Sequence, residues 1–362
     1  STFGILNDNK TEFDNYTRIR RKYLVFVNPH SGPGNGVKNY EAVVKPMFEE
    51  AGIEITLVIT QYALHAKEYV QDPNCNLSLF SCICIISGDG LIFEVVNGIA
   101  QRSDGLKLLK EVLCIAPIPS GTGNGLAKSV LFASNNEPYS AINCAFVAVK
   151  GKPHPLDLSR VTTPNETHYS FLSLGWGLIS DIDILSESLR CLGEARLYAA
   201  AVYFIGAKRL YKGRLSMVLT TEVTDEAVNI DNDGIAIFKD PATLRYRKVI
   251  TGDFLLVWVV QTSHAASTMH SGPGVELDDA IFTVYVVRNM SRFELLQLLI
   301  DLDTGDHVKH EKVETYKALS YSLEPNTAED NKTGIYSLDG EVIEYGPVQG
   351  VVLPHAMRVQ TI

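Results

Sequence analysis

The chain has 362 residues, 46% of them hydrophobic and 20% charged, with a formal net charge of −10. That length exceeds one ordinary hydrophobic core and predicts two domains. The acidic balance argues against non-specific nucleic-acid binding, no apolar run of about 18 residues predicts a spanning helix, and the first residues lack the charged start and apolar block of a signal peptide, so a cytoplasmic protein is expected.

Residues 1–20 read as a mobile tail. RKYLVFVNP (21–29) predicts a strand, followed by the turn HSGPGNG and helical spacing in VKNYEAVVKPMFEEAG. IEITLVIT (53–60) predicts a second strand and HAKEYVQD a short helix. LFSCICIISGDG ends a third strand, and IFEVVNGIAQR continues as a helix. VLCIAPIPSGTGNG is a fourth strand and loop, and LAKSVL opens another helix. Such alternation predicts a parallel sheet covered by helices over 21–152.

The composition shifts at KGKPHPLDL (150–158), the expected boundary. Residues 153–362 then read as mostly β. YSFLSLGWGLISDIDI, GRLSMVLTTEV, DFLLVWVVQ, AIFTVYVVR and GIYSLDGEVIEY alternate like antiparallel strands. Two helices interrupt them, one around 189–212 and one at SRFELLQLL, where Ser291 and Glu294 have capping-box spacing. The expected fold class is α/β: an N-terminal parallel-sheet nucleotide domain, then a larger, mostly antiparallel β domain. The six cysteines show no C-x-x-C pair and read as reduced, mostly buried thiols.

Three glycine-rich turns follow three strands of the first half: NPHSGPGNG (28–36), SGDG (87–90) and PSGTGNG (119–125). In a parallel sheet they share one carboxyl edge, where open α/β sheets bind ligands. Glycines let backbone N–H groups approach an anion, and two of the turns open helices, whose N-termini attract negative charge. Neither the Walker A spacing nor the G-x-G-x-x-G dinucleotide fingerprint is present. A lone carboxylate, Asp89, sits between two of these glycines. Beside phosphates that is electrostatically unfavourable unless the acid serves a cation such as Mg²⁺ or receives a substrate proton.

SGDGLIFEVVNG, PSGTGNGLA, LSLGWGLISDIDILSESLRCLGEARL and YSLDGEV together resemble the sphingosine kinases, within the wider diacylglycerol-kinase-like lipid kinases. The resemblance runs from about residue 22 to the C-terminus; Ser87 and the DID…R…LGEAR block point to the sphingosine kinases in particular. It implies phosphoryl transfer from ATP to sphingosine, with Mg²⁺. Diacylglycerol, ceramide or NAD as the acceptor, or a non-catalytic lipid-binding protein on the same fold, are the alternatives.

The resemblance implies a role for each candidate. Asp89 would receive the hydroxyl proton and, with Asp339, hold the metal. Asn28, Ser31, Gly32 and Gly34 in the first turn, Gly88 and Gly90 in the second, and Ser120, Gly121, Thr122, Gly123 and Asn124 in the third would bind nucleotide. Thr60, Glu94, Arg190, Arg196, Asp339, Gly340 and Glu341 join them. Ser173 and Asp183 would meet the sphingoid hydroxyls and amine. Asp181 shares the face of Asp183 if that piece is extended, so either acid qualifies, and family position favours Asp183. Leu172, Leu174, Ile179, Ile182, Phe204, Trp258, Met269 and Leu299 are candidates for the lipid cavity. Plainer readings stand beside these: Glu94 as a first-turn acid, Asp339-Gly340 as a hairpin turn, and the arginines as solvated surface.

EARLYAAAVYFIGAKRLYKGR (194–214) has about a dozen apolar residues and a basic end, too short to span a bilayer. It reads as a buried helix, a lid touching an anionic membrane surface, or a calmodulin-target helix.

Overall fold

The structure, a computed structural model, describes residues 21–32, 34–121, 123–188, 195–222, 228–230, 236–238, 247–326 and 334–362. The expected tail at 1–20 lies outside them. In the first half, β1 (Lys22–Val27), α1 (Gly36–Asn39), α2 (Lys45–Glu50), β2 (Glu54–Ile59), α3 (His65–Gln71), β3 (Cys82–Ser87), α4 (Asp89–Ala100), α5 (Gly105–Lys107), β4 (Cys114–Pro119), α6 (Gly125–Ala133) and α7 (Ala141–Lys150) follow in order. The strands are parallel and ordered β4-β3-β1-β2. β3 and β4 are buried along their whole length, because helices cover both faces. β2, at the edge, alternates toward solvent.

The second half begins with β5 (Lys152–Thr162), β6 (Thr167–Ser170), β7 (Ser173–Gly177), α8 (Leu178–Ser188), α9 (Ala195–Ala207) and β8 (Tyr211–Leu219). A small ribbon, β9 (Val228–Ile230) with β10 (Ala236–Phe238), stands apart. Then come β11 (Lys248–Phe254), β12 (Leu256–Val260), β13 (Phe282–Val287), α10 (Arg292–Ile300), β14 (Val313–Pro325), β15 (Tyr336–Leu338), β16 (Glu341–Ile343) and β17 (Val348–Thr361). The Ser291/Glu294 capping box is present at α10. Strand pairing here is antiparallel, in the order β16-β15-β7-β12-β13-β14-β17.

The two sheets are one hydrogen-bonded surface joined at β17, which pairs antiparallel with β5 and β14 and parallel with β4 at Val359↔Ile115. Prolines explain why the β17–β4 ladder stops there. The Ser120 N–H points to β3, donating to the Ser87 carbonyl, so the nitrogens of Pro117 and Pro119 face the β17 side and have no proton to give. β4 therefore keeps an unpaired flank beyond Ile115, facing the second half. One apolar cluster mixes Leu156, Leu158, Leu353 and Met357 with the first-half core. We propose that 21–152 and 153–362 divide the chain in sequence order, not into separable cores.

Two expectations are corrected. ISDIDI is helical, not extended: Gly177, at φ +84°, breaks the chain and α8 begins at Leu178. Asp181 and Asp183 therefore lie about 200° apart around a helix and share no face. The helix expected around 189–212 is α9 at Ala195–Ala207, since Tyr211–Leu219 alternates in burial and pairs as β8. Residues 189–194 lie outside the described residues.

Candidate active site

The three glycine turns meet at the carboxyl edge and lock into one another. A Cβ added to Gly121 would lie 2.8 Å from both N and Cα of Gly88. Gly32, at φ +55°, packs on the third turn so tightly that a Cβ would lie 2.6 Å from the Ser120 carbonyl oxygen. Backbone bonds complete the knot: the Ser120 and Gly121 N–H groups donate to the Ser87 carbonyl at 3.0 and 3.2 Å, and that of Asp89 donates to Gly123 at 3.1 Å. The Asn124 amide donates to the Gly121 carbonyl at 2.7 Å.

Asp89 is the first residue of α4 and only 7% exposed. Its carboxylate accepts from the Gly125 N–H at 2.6 Å and the Leu126 N–H at 3.2 Å, the first turn of α6. Burial pushes its carboxyl up to about 7, against the pull of those two N–H groups and with the help of the negative Asp339 and Asp183.

Asp339 and Gly340 form the β15–β16 turn, both at positive φ (53° and 88°). The Asp339 carboxylate clasps the β6–β7 corner: Oδ1 accepts from Ser170 Oγ (2.7 Å), Leu172 N (3.0 Å) and Ser173 N (2.9 Å), and Oδ2 from Phe171 N (2.9 Å). Burial raises its carboxyl to about 6 despite those donors. Glu341 faces Gly90, where an added Cβ would lie 2.5 Å from its Oε1. Burial also raises Glu94, with the Leu64 N–H and Lys67 pulling the other way.

These groups line one cavity of about 630 Å³. One wall is the glycine knot with Asp89. The other is apolar, built from Leu172, Ile179, Ile182, Trp258 and Met269. Asp183 lies in the lining, and Ser337 Oγ donates to its Oδ2. Asp181 is buried behind it, takes a hydrogen bond from Tyr211 Oη, and has Arg209 4.8 Å above the Tyr211 ring. Burial raises the Asp181 carboxyl, opposed by Tyr211 and Arg209.

Residues 22–161 match the family model of the diacylglycerol kinase catalytic domain, and residues 209–361 that of the YegS C-terminal NAD kinase beta sandwich-like domain. Sphingosine kinase 1 of Homo sapiens is 30% identical over 350 residues, covering 92% of this chain and 89% of that protein. Sphingosine kinase 1 of Arabidopsis thaliana is 32% identical over 341 residues, covering 90% of this chain and 69% of that protein. The chain belongs to the sphingosine kinase family. Membership makes it an ATP-dependent lipid kinase. Among solved structures, a putative diacylglycerol kinase from Bacillus anthracis str. Sterne superposes with a TM-score of 0.67 over 96% of this chain and 98% of that one. At 19% identity that likeness is one of fold alone.

In this sphingosine kinase family member, the cavity gathers Asn28, Ser31, Gly32, Gly88, Asp89, Gly90, Glu94, Gly121, Gly123, Asp339, Gly340 and Glu341 with Leu172, Ser173, Ile179, Ile182 and Asp183. Gly34, Thr60, Ser120, Asn124, Asp181, Leu174, Phe204 and Leu299 are not in its lining. Thr60 bonds the Val27 carbonyl, Leu174 is in the sandwich core, and Phe204 and Leu299 pack behind the apolar wall. Thr122 and Arg190 lie outside the described residues, as does the side chain of Arg196 on α9. Sequence reasoning missed His30, Ser87, Leu91, Gly175, Ser180, Ser337, Ala265 and Ala266 as lining residues. Ser337 lies two residues before Asp339 and was findable from that motif; the two alanines carry no chemical signal. Among the described residues, no group of three or more His, Cys, Asp or Glu is arranged to hold a metal.

Proposed function

We propose that this lipid kinase transfers the γ-phosphoryl of ATP to the primary hydroxyl of sphingosine or a related sphingoid base, giving sphingosine 1-phosphate and ADP. The position of Asp89 carries the reading: a buried carboxylate at the seam between a glycine knot and an apolar cavity. With its carboxyl near 7, it is suited to receive a proton at neutral pH. In the transfer, the hydroxyl oxygen bonds to the γ-phosphorus and gives its proton to Asp89. The bond from phosphorus to the β–γ bridging oxygen breaks, and ADP leaves. Backbone N–H groups of the three turns cradle the phosphates. Asp183, inside the same cavity and already bonded by Ser337, presents a carboxylate that suits the ammonium of a sphingoid base; an uncharged diacylglycerol has no charged group to pair with it.

Mg²⁺ neutralises phosphate charge when bound, and such ions typically take one or two carboxylates with phosphates and water. The residues fit. Each Asp89 oxygen accepts one N–H and Oδ2 of Asp339 accepts one, so lone pairs remain on both acids. Asp89 and Asp339 would hold the ion.

A sphingoid base resides in a bilayer, so a cytoplasmic kinase acting on it would be recruited peripherally to anionic membranes. No helix among the described residues is long and apolar enough to cross one. α9 buries Ala200, Ala201 and Ile205 against the cavity wall and turns Val202 and Tyr203 outward, each 66% exposed, with Lys208 and Arg209 following. That outer stripe suits a lipid surface. A calmodulin target is the second reading for this segment, but half of the apolar helix is already committed to the core.

A lipid panel incubated with ATP and Mg²⁺, with products separated by thin-layer chromatography, tests the reading. Sphingosine is expected to be phosphorylated, and diacylglycerol and ceramide not. Preference for either of the latter would overturn it.

A further inference from the structure

We propose that the hairpin His264–His270 couples occupancy of the apolar cavity to the pose of Asp89, with Ser129 as the positioning residue that transmits it. This rests on Asp89 being the proton acceptor proposed above.

The Asp89 carboxylate accepts hydrogen bonds from the N–H groups of the first two residues of α6, Gly125 and Leu126. Where α6 goes, the carboxylate goes. α6 in turn is gripped by the hairpin at three successive positions along one side. At Gly125 the backbones touch: a Cβ there would lie 2.6 Å from the Ala265 carbonyl oxygen and 2.8 Å from that of His264. One turn on, the fully buried Ser129 donates its hydroxyl to the His264 carbonyl at 3.2 Å and accepts from the His264 N–H at 3.0 Å. Next, the Phe132 ring packs at 5.2 Å on His264 and 5.5 Å on His270, and those two imidazoles stack at 4.6 Å and 8°.

The other side of the same hairpin is cavity wall. Ala265, Ala266 and Met269 line it, and the loop is closed by Ala265 N–H to the Met269 carbonyl and Met269 N–H to the Ala266 carbonyl, both at 3.1 Å. A lipid chain that fills the space beside Met269 therefore presses on the buttress of the helix that aims Asp89. A small misplacement of a reacting group is enough to lower turnover strongly. The lipid chain thus contributes to kcat, and not to binding alone.

The test compares kcat for a long-chain sphingoid base with kcat for a short-chain, water-soluble analogue bearing the same headgroup. Wild type is expected to turn over the long-chain base about tenfold faster at saturation. Ser129→Ala is expected to abolish most of that advantage, lowering kcat for the long-chain base to near that for the short one and leaving KM for ATP unchanged. Phe132→Leu, at a half-exposed position that tolerates the change, is expected to do the same in part and keeps the test open if Ser129→Ala does not fold. Equal kcat for the two lipids in wild type, or equal losses on both in the variants, would reduce the hairpin to structural support. An inactive Asp89→Asn beside an unchanged chain dependence in Ser129→Ala sinks the coupling alone. An active Asp89→Asn sinks the proton-acceptor reading and the coupling together.

Discussion

The two walls of the cavity are built in opposite ways. The wall proposed to take the nucleotide is backbone: three turns, each a few residues long, meeting through glycines that leave no room for a side chain at Gly32, Gly88 or Gly121. The wall proposed to take the lipid is side chains, gathered from the start of β7, α8, β12 and the loop after it, which are scattered over residues 172–269. A wall of backbone tolerates almost no substitution at its contact points. A wall of side chains tolerates changes of shape and decides which lipid fits. Asp89 stands between them and answers to both.

That contrast sets the expected order of effects. The largest belongs to the knot. Gly90→Asp would drive a carboxylate into Glu341 beside the phosphates, and turnover is expected to drop by about 100-fold or more, with weaker ATP binding. Unchanged ATP affinity, read by titration with a fluorescent nucleotide, would mean that the turn cradles no phosphate. Next comes the lipid side. Asp183→Asn is expected to cost about 2–5 kcal/mol in kcat/KM for sphingosine, chiefly through KM, and little in KM for ATP. An analogue lacking the amine should lose far less; an unchanged preference between the two lipids would remove Asp183 from the headgroup site.

Smaller effects follow at the outer surface. Val202→Asp with Tyr203→Asp, both on the exposed stripe of α9, is expected to weaken sedimentation with anionic liposomes several-fold while leaving turnover of dispersed substrate intact. Ile205 is buried and unsuited to this test. Binding equal to wild type would make the stripe ordinary surface. The smallest effect is on stability. The Asp89 carboxyl is raised from 3.8 to about 7, so the folded state holds that proton more tightly than the unfolded one. Its ionisation therefore costs stability, fully above pH 7 and progressively less as pH falls toward 3.8. Asp89→Asn escapes that cost but cannot accept from both the Gly125 and Leu126 N–H groups, so its melting temperature relative to wild type is expected to rise between pH 4 and pH 8 and to level off above that. A gap independent of pH would mean that the carboxylate is not strained in this way.

The same contrast explains what the sequence disclosed. The glycine turns are contiguous, so SGDG and PSGTGNG could be read directly, and the parallel order of β1, β3 and β4 put them together. The lipid wall is assembled over long distances, and its members were legible only as apolar residues. Leu299 and Phe204 looked as suitable as Trp258 and Met269, yet pack behind the wall. α8 misled because LISDIDI satisfies both a period of two and helical spacing; the decision fell to Gly177, whose positive φ ends β7. β17 carried little strand signal, since VVLPHAM contains a proline and shifts register between Leu353 and Met357, but its pairing with β5, β14 and β4 holds it in place.

The most direct test of the account is single-turnover phosphorylation of sphingosine by Asp89→Asn, with ATP affinity measured in the same preparation. Loss of the proton acceptor is expected to slow the chemical step by about 100-fold or more, while ATP affinity measured without Mg²⁺, so that the proposed metal contact of Asp89 does not enter, stays within a few-fold of wild type. A chemical step near the wild-type rate would contradict the placement of Asp89 at the centre of this site.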